Sequence, residues 1–117
     1  MQNPIQLTDY TEPQPDIAVL RPREDFYAHA LPLPADVLLV VEVAESSLEY
    51  DREEKIPRYA QTLIPEVWLI DVEQETITQY TQPDGTRYGR EQTLERGQRI
   101  VSDTVSHLNV SVDGLFG

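Results

Sequence analysis

The chain has 117 residues, 39% of them hydrophobic and 26% charged, which suits one domain with a modest core and argues against two cores or wholesale disorder. Twenty-one acids stand against nine bases, a formal charge of −12, and Lys55 is the only lysine. The longest apolar run, Val37 to Val41, is far short of the roughly 20 residues that span a bilayer, and the absence of cysteine removes disulfides, thiolate nucleophiles and Cys-type zinc sites.

The opening MQNPIQLTDYTEPQ has neither a basic n-region nor an apolar h-region, so no secretory signal is read there and a cytoplasmic, reducing compartment is expected. Residues 1–14, with Pro4 and Pro13 and no period, are expected to form an extended arm ahead of a single domain over 15–117. Pro15 to Leu20 reads as a short strand apolar on both sides, with Asp16 at its start. Residues 21–36 carry Pro22, Pro32 and Pro34 without any period and read as a surface loop. Ala35 to Ala44 is the strongest element, β-branched and apolar on both faces as a covered central strand must be. Glu42 interrupts it, on the same face as Leu38, Val40 and Ala44.

A helix is expected from about Asp51 to Thr62, with Ile56, Ala60 and Leu63 at helical spacing, Asp51 as N-cap and Glu54 three residues later. Pro57 falls in its second turn, where it removes a hydrogen bond. Pro65 to Asp71 reads as the next strand, so strand, helix and strand form a crossover. Thr76 to Thr81 alternates, Pro83-Asp-Gly85 supplies turn chemistry, and Thr86 to Leu94 returns, which is a β-hairpin. A short strand around Arg99 to Val101 follows Gly97, and Leu108 to Phe116 is too brief to assign.

Two carboxylates, Asp16 and Glu42, lie on consecutive strands. If those strands are neighbours, both converge on one place, where their repulsion and poor solvation would be relieved by a cation or a proton. An oxygen-only donor set with no nearby histidine or cysteine favours Mg²⁺ or Mn²⁺ over zinc. Lys55 would then supply a cation able to orient a water or offset phosphate charge. The structural readings stand beside these. Asp16 could be a polar residue at a strand entrance, Glu42 could be partnered by Arg52 or Arg58, and Lys55 could form an exposed helix pair with Asp51. Tyr59 reads as a packing residue with its hydroxyl in water, Trp68 as core, and His29 and His107 as surface.

In order, Pro15-Asp16, Val41-Glu42-Val43-Ala44 with Ser46-Ser47, then Asp51, Lys55 and Tyr59, then Ile64-Pro65-Glu66-Val67-Trp68-Leu69-Ile70-Asp71 resemble a bacterial family of proposed restriction endonucleases. That family, the Uma-two family, belongs to the PD-(D/E)XK nuclease superfamily, and the resemblance runs over residues 13 to 101. It implies an α/β (α+β), restriction-endonuclease-like mixed sheet with a crossover helix and a C-terminal β-hairpin. It also implies a Mg²⁺- or Mn²⁺-dependent endonuclease acting on DNA, with Asp16, Glu42 and the Val43 carbonyl holding the metal and Lys55 completing the catalytic set. The linear superfamily motif would place lysine at position 44, here Ala44; the family draws it from the following helix, where Lys55 matches.

Family members usually carry several dozen more residues before the Pro-Asp strand, against 14 here, so an N-terminally truncated core is expected. From that follows a homodimer or swapped assembly covering the exposed surface. Where the family has glycine before Ile-Pro, this chain has Leu63, which a left-handed backbone would penalise by roughly 1 kcal/mol. An acid about 10 Å from a phosphate costs only ~0.1 kcal/mol after screening, so the charge of −12 weakens DNA binding without abolishing it. The other reading is a non-catalytic oligomerising or regulatory module of the same fold.

Overall fold

The structure is a computed structural model and describes residues 16–22, 33–45 and 48–117. The expected arm over 1–14, His29, Ser46-Ser47 and most of the 21–36 loop lie outside the described residues.

Five strands form a mixed sheet in sequence order: β1 (Ile17–Leu20), β2 (Val37–Ala44), β3 (Glu66–Asp71), β4 (Thr76–Pro83) and β5 (Tyr88–Leu94). Only β2 and β3 run parallel; the other neighbours are antiparallel. A parallel pair needs a crossover, and the helical stretch between Leu48 and Gln61 supplies it. β6 (Arg99–Val101) and β7 (Asn109–Ser111) make a separate two-stranded ribbon, which leads into a short helix over Val112–Phe116. That last part of the chain, left unassigned from sequence, is therefore a strand and a helical turn.

The sheet is covered on both sides, which is why β2 and β3 are apolar on both faces. On one side Val40, Ala44, Val67 and Leu69 pack under Ile56, Tyr59 and Ile64 of the crossover. On the other, Leu39, Val41, Trp68, Ile70 and Ile77 pack against Ile100 of the ribbon and Val112 of the last helix. A fully buried side chain of this size contributes about 1.5–3 kcal/mol. β5 has no second neighbour among the described residues, and its Arg90, Glu91 and Gln92 are exposed, a charged edge that discourages pairing with other chains.

The crossover differs from the expected helix in a way that matters for the site. It starts earlier, as α1 (Leu48–Tyr50), passes through a π turn over Asp51–Lys55, and continues as α2 (Ile56–Gln61). Asp51 is thus not an N-cap but a buried residue inside the helical run. Pro57 gives the physical reason: it has no N–H for an α-helical bond, and the widened turn just before it, closed by Ile56 N donating to Asp51 O, absorbs the missing bond and the ring. At the other end, Leu63 N donates to Ala60 O at 3.1 Å and Ile64 N to Tyr59 O at 3.0 Å, a Schellman closure. Leu63 adopts φ 61° there, the left-handed conformation that glycine would take without strain.

Candidate metal and catalytic site

The antiparallel register pairs Ile17 with Val41 and Ala18 with Val40, so Asp16, one residue further out, comes beside Glu42. Asp16 Oδ2 accepts a hydrogen bond from Val43 N at 2.7 Å, which ties the start of β1 to the end of β2. Glu42 is completely buried. The alternation of β2 points it to the crossover side with Val40 and Ala44, against a helical face that carries polar groups at Asp51, Lys55 and Tyr59, each four residues apart.

Those groups partner Glu42. Tyr59 donates its hydroxyl hydrogen to Glu42 Oε1 at 2.6 Å, and Lys55 Nζ donates to Oε2 at 3.3 Å. Lys55 Nζ also lies 3.5 Å from Asp51 Oδ1. Three expectations from the sequence are corrected here. The Asp51–Lys55 pair is not a solvent-exposed helix pair, because the Asp51 side chain is 3% exposed and Lys55 is drawn inward by Glu42. Tyr59 is fully buried with its hydroxyl bonded to a carboxylate rather than to water, and neither Arg52 nor Arg58 partners Glu42.

Burial raises the Glu42 carboxyl above its ordinary range; Tyr59 and Lys55 offset part of that rise, and the neighbouring charge of Asp16 adds to it. For Lys55, burial works against the ammonium, but Glu42 and Asp51 outweigh it and the pKa is raised. Lys55 therefore stays protonated near neutral pH and acts as a cation and hydrogen-bond donor, not as a base. Burial and the adjacent Glu42 also push the Tyr59 phenol upward, so it remains a donor.

A second buried glutamate, Glu66, has no function assigned from the sequence, although Pro65-Glu66-Val67-Trp68 is conspicuous. Trp68 Nε1 and Gln79 Nε2 donate to its Oε2 at 2.8 and 2.6 Å. Ser102 Oγ, Thr104 Oγ1 and the backbone N–H groups of Asp103 and Thr104 donate to its Oε1. Burial pushes this carboxyl up, yet the bonds from Ser102, Gln79, Trp68 and Thr104 prevail and its pKa is lowered. Glu66 fastens the loop after β6 to the main sheet, a structural role distinct from Glu42.

The fold defines an α+β protein built on a five-stranded mixed sheet. A crystal structure from Anabaena variabilis, described as a putative nuclease belonging to DUF820, superposes with a TM-score of 0.71 at 19% identity, over 99% of this chain and 65% of that one. This chain thus spans about two thirds of the length of that neighbour. The chain belongs to the family described as "Uma2: Putative restriction endonuclease", whose model matches residues 2–113, a wider span than the 13–101 over which the motifs were read. The restriction-endonuclease-like class generally uses divalent metal ions. Curated proteins gave no match. Among the described residues no helix is long and apolar enough to cross a membrane.

Proposed function

We propose that the chain is a divalent-metal-dependent nuclease that hydrolyses phosphodiester bonds of DNA, with Asp16, Glu42 and the Val43 backbone carbonyl as metal ligands and Lys55 as the catalytic cation. The observation that carries this reading is a completely buried glutamate, set beside a second carboxylate, with the only lysine of the chain 3.3 Å away. Taking a carboxylate out of water is costly unless hydrogen bonds or a cation offset it, and here a second carboxylate adds to that cost.

The donor set fits a hard divalent ion. Among the described residues no group of three or more His, Cys, Asp or Glu gathers as a metal cage, so Asp16 and Glu42 would be the two carboxylate ligands. That number suits Mg²⁺ or Mn²⁺, which keep several waters and bind through one or two carboxylates together with phosphate oxygens. Repulsion from Asp16 contributes to the raised Glu42 pKa, and a bound cation would relieve it. When bound, such an ion supplies Lewis acidity toward a phosphoryl oxygen. The chain's own residues do the rest. Tyr59 fixes the Glu42 rotamer through Oε1, the Asp16 to Val43 bond fixes the two strand ends, and Lys55 presents a permanent positive charge to the negative charge that develops as the phosphodiester is attacked.

Cleavage of plasmid DNA with Mg²⁺ or Mn²⁺, comparing the native chain with Glu42→Ala and Lys55→Ala, tests the reading. Loss of cleavage in both variants supports it, and equal rates for all three overturn it. One observation favours a second reading, a non-catalytic module of the same fold: both Glu42 oxygens are already hydrogen-bonded within the protein. Calorimetry separates the two, since binding lost on Asp16→Ala supports the nuclease, and no Mg²⁺ or Mn²⁺ affinity up to millimolar concentration supports the module. The nuclease reading also carries a cytoplasmic location, weak and salt-sensitive DNA binding from the charge of −12, and a homodimer or swapped assembly, which sedimentation velocity tests.

A further inference from the structure

A cavity of about 200 Å³ lies between the helical crossover and the β4–β5 hairpin, with none of Asp16, Glu42 and Lys55 in its lining. Arg52, Ile56 and Pro57 form one wall; Tyr80, Arg87, Tyr88 and Glu91 form the other. Its volume is below that of a drug-sized pocket and suits a small polar group with part of a ring.

Two arginines, Arg52 and Arg87, line it in a chain of net charge −12. The side chains of Arg58, Arg90 and Arg96 pair with acids, Arg99 bonds to Asn109, and Arg21 bonds to the Ala35 carbonyl. Among the described residues, neither Arg52 nor Arg87 has an acidic partner within salt-bridge distance. Tyr80 is the second, independent observation: the residue is 3% exposed, and its hydroxyl has no hydrogen-bond partner among the described residues. Burial raises its pKa, with the charge of Glu91 adding to the rise and the charge and hydrogen-bonding reach of Arg52 opposing it, while no bond of good geometry forms at the hydroxyl. A buried hydroxyl without a well-formed bond, beside two arginines that lack an acidic partner, is a donor set that suits an anion. Tyr88 is held rigid by its own hydroxyl, which donates to Ile64 O at 2.7 Å, and its ring lies 5.7 Å from that of Tyr80, offering an apolar wall.

Glu91 decides which anion. A carboxylate on the wall repels a bare phosphate, so the favoured ligand is one that also presents a donor, as the sugar hydroxyl or exocyclic amine of a nucleotide does. We infer that this cavity binds a nucleoside monophosphate unit, its phosphate held by Arg52, Arg87 and the Tyr80 hydroxyl and its donor group by Glu91. The unit could be a free mononucleotide or the phosphorylated end of a DNA strand. The site stands apart from Glu42 and does not depend on the nuclease reading.

The test is calorimetric titration of the full chain in EDTA, which silences any metal-dependent site, with dCMP, inorganic phosphate, deoxycytidine, and a DNA decamer with and without a 5′-phosphate. Expected are binding of dCMP at least fivefold tighter than inorganic phosphate, at least tenfold weakening in the double variant R52Q/R87Q, and a threefold or greater loss in Tyr80→Phe. Glu91→Gln should narrow the preference for dCMP over phosphate. Binding of the phosphorylated decamer but not dCMP assigns the unit to a strand end, and the reverse assigns it to a free nucleotide; both support the site. No binding of either at millimolar concentration, or unchanged affinity in R52Q/R87Q variants that melt like the parent, overturns it. Because Tyr80→Phe removes an unpartnered buried hydroxyl, its ligand-free melting temperature should match or exceed the parent's, a readout that does not depend on any ligand.

Discussion

Tyr59 and Glu42 are 17 residues apart in sequence, yet the phenol oxygen of one lies 2.6 Å from Oε1 of the other in the core. The bond joins the crossover helix to the central strand and keeps a buried carboxylate in one rotamer. Tyr59→Phe should therefore cost about 1–3 kcal/mol, the range for leaving a buried acceptor short of a partner, measured by urea unfolding. The same variant should raise the Glu42 pKa further, because a bond to its ionised form is lost, and an upward shift in the pH profile of cleavage would register it. A merely structural tyrosine would change stability without moving that profile.

The two buried glutamates should give opposite pH responses. Glu42 is raised in the fold, so the native state holds its proton more firmly than the unfolded chain; its contribution falls as pH climbs from the ordinary 4.5 through the raised value. Glu66 is lowered, so its contribution is present above 4.5 and is lost as pH falls through its lowered value. Unfolding free energy measured across acidic and neutral pH should show both limbs. Glu42→Gln should flatten the upper limb, and Glu66→Gln the lower.

Glu66→Ala should be among the most damaging single changes. It leaves the Trp68 and Gln79 donors and the Ser102–Thr104 loop without their common acceptor. A loss of about 3 kcal/mol or more is expected from several orphaned donors, with hydrogen exchange rising first in β6 and β7. Uniform exchange changes across the whole sheet would contradict the role of Glu66 as the fastening of that ribbon.

Leu63→Gly should stabilise the protein. Leu63 is 56% exposed, so little packing is lost, and its φ of 61° carries a strain that glycine does not feel. A gain of about 0.5–1 kcal/mol in chemical denaturation is expected, against the usual destabilisation by glycine.

Much of the architecture was legible because covered strands and turns leave strong local marks. The two-sided apolar run of β2, the Pro-entered β3 and the turn at Pro83-Asp-Gly85 each depend on residues next to one another, and all formed where expected. The left-handed backbone of Leu63 came from the resemblance, whose family carries glycine at that position, and not from local pattern. The candidate site was legible in its members Asp16, Glu42 and Lys55, because a carboxylate in an apolar strand is costly and a single lysine is conspicuous.

What escaped the sequence were the partnerships. Asp51 looked like a helix cap because an acid three residues before Glu54 fits that pattern; the π turn ahead of Pro57 instead carried it into the helical run and toward Lys55. Tyr59 looked like a packing residue because its bond to Glu42 depends on which strand face meets which helix face; the spacing of Asp51, Lys55 and Tyr59 by four was the signal available. Glu66 is bound by residues up to 38 positions away, and the cavity between Arg52 and Arg87 joins elements whose neighbourhood no local pattern encodes. Local propensity and burial pattern are written residue by residue, so they survive in the chain alone. Charge pairing, pKa and pockets depend on distances across space, and only the packed sheet and helix set those.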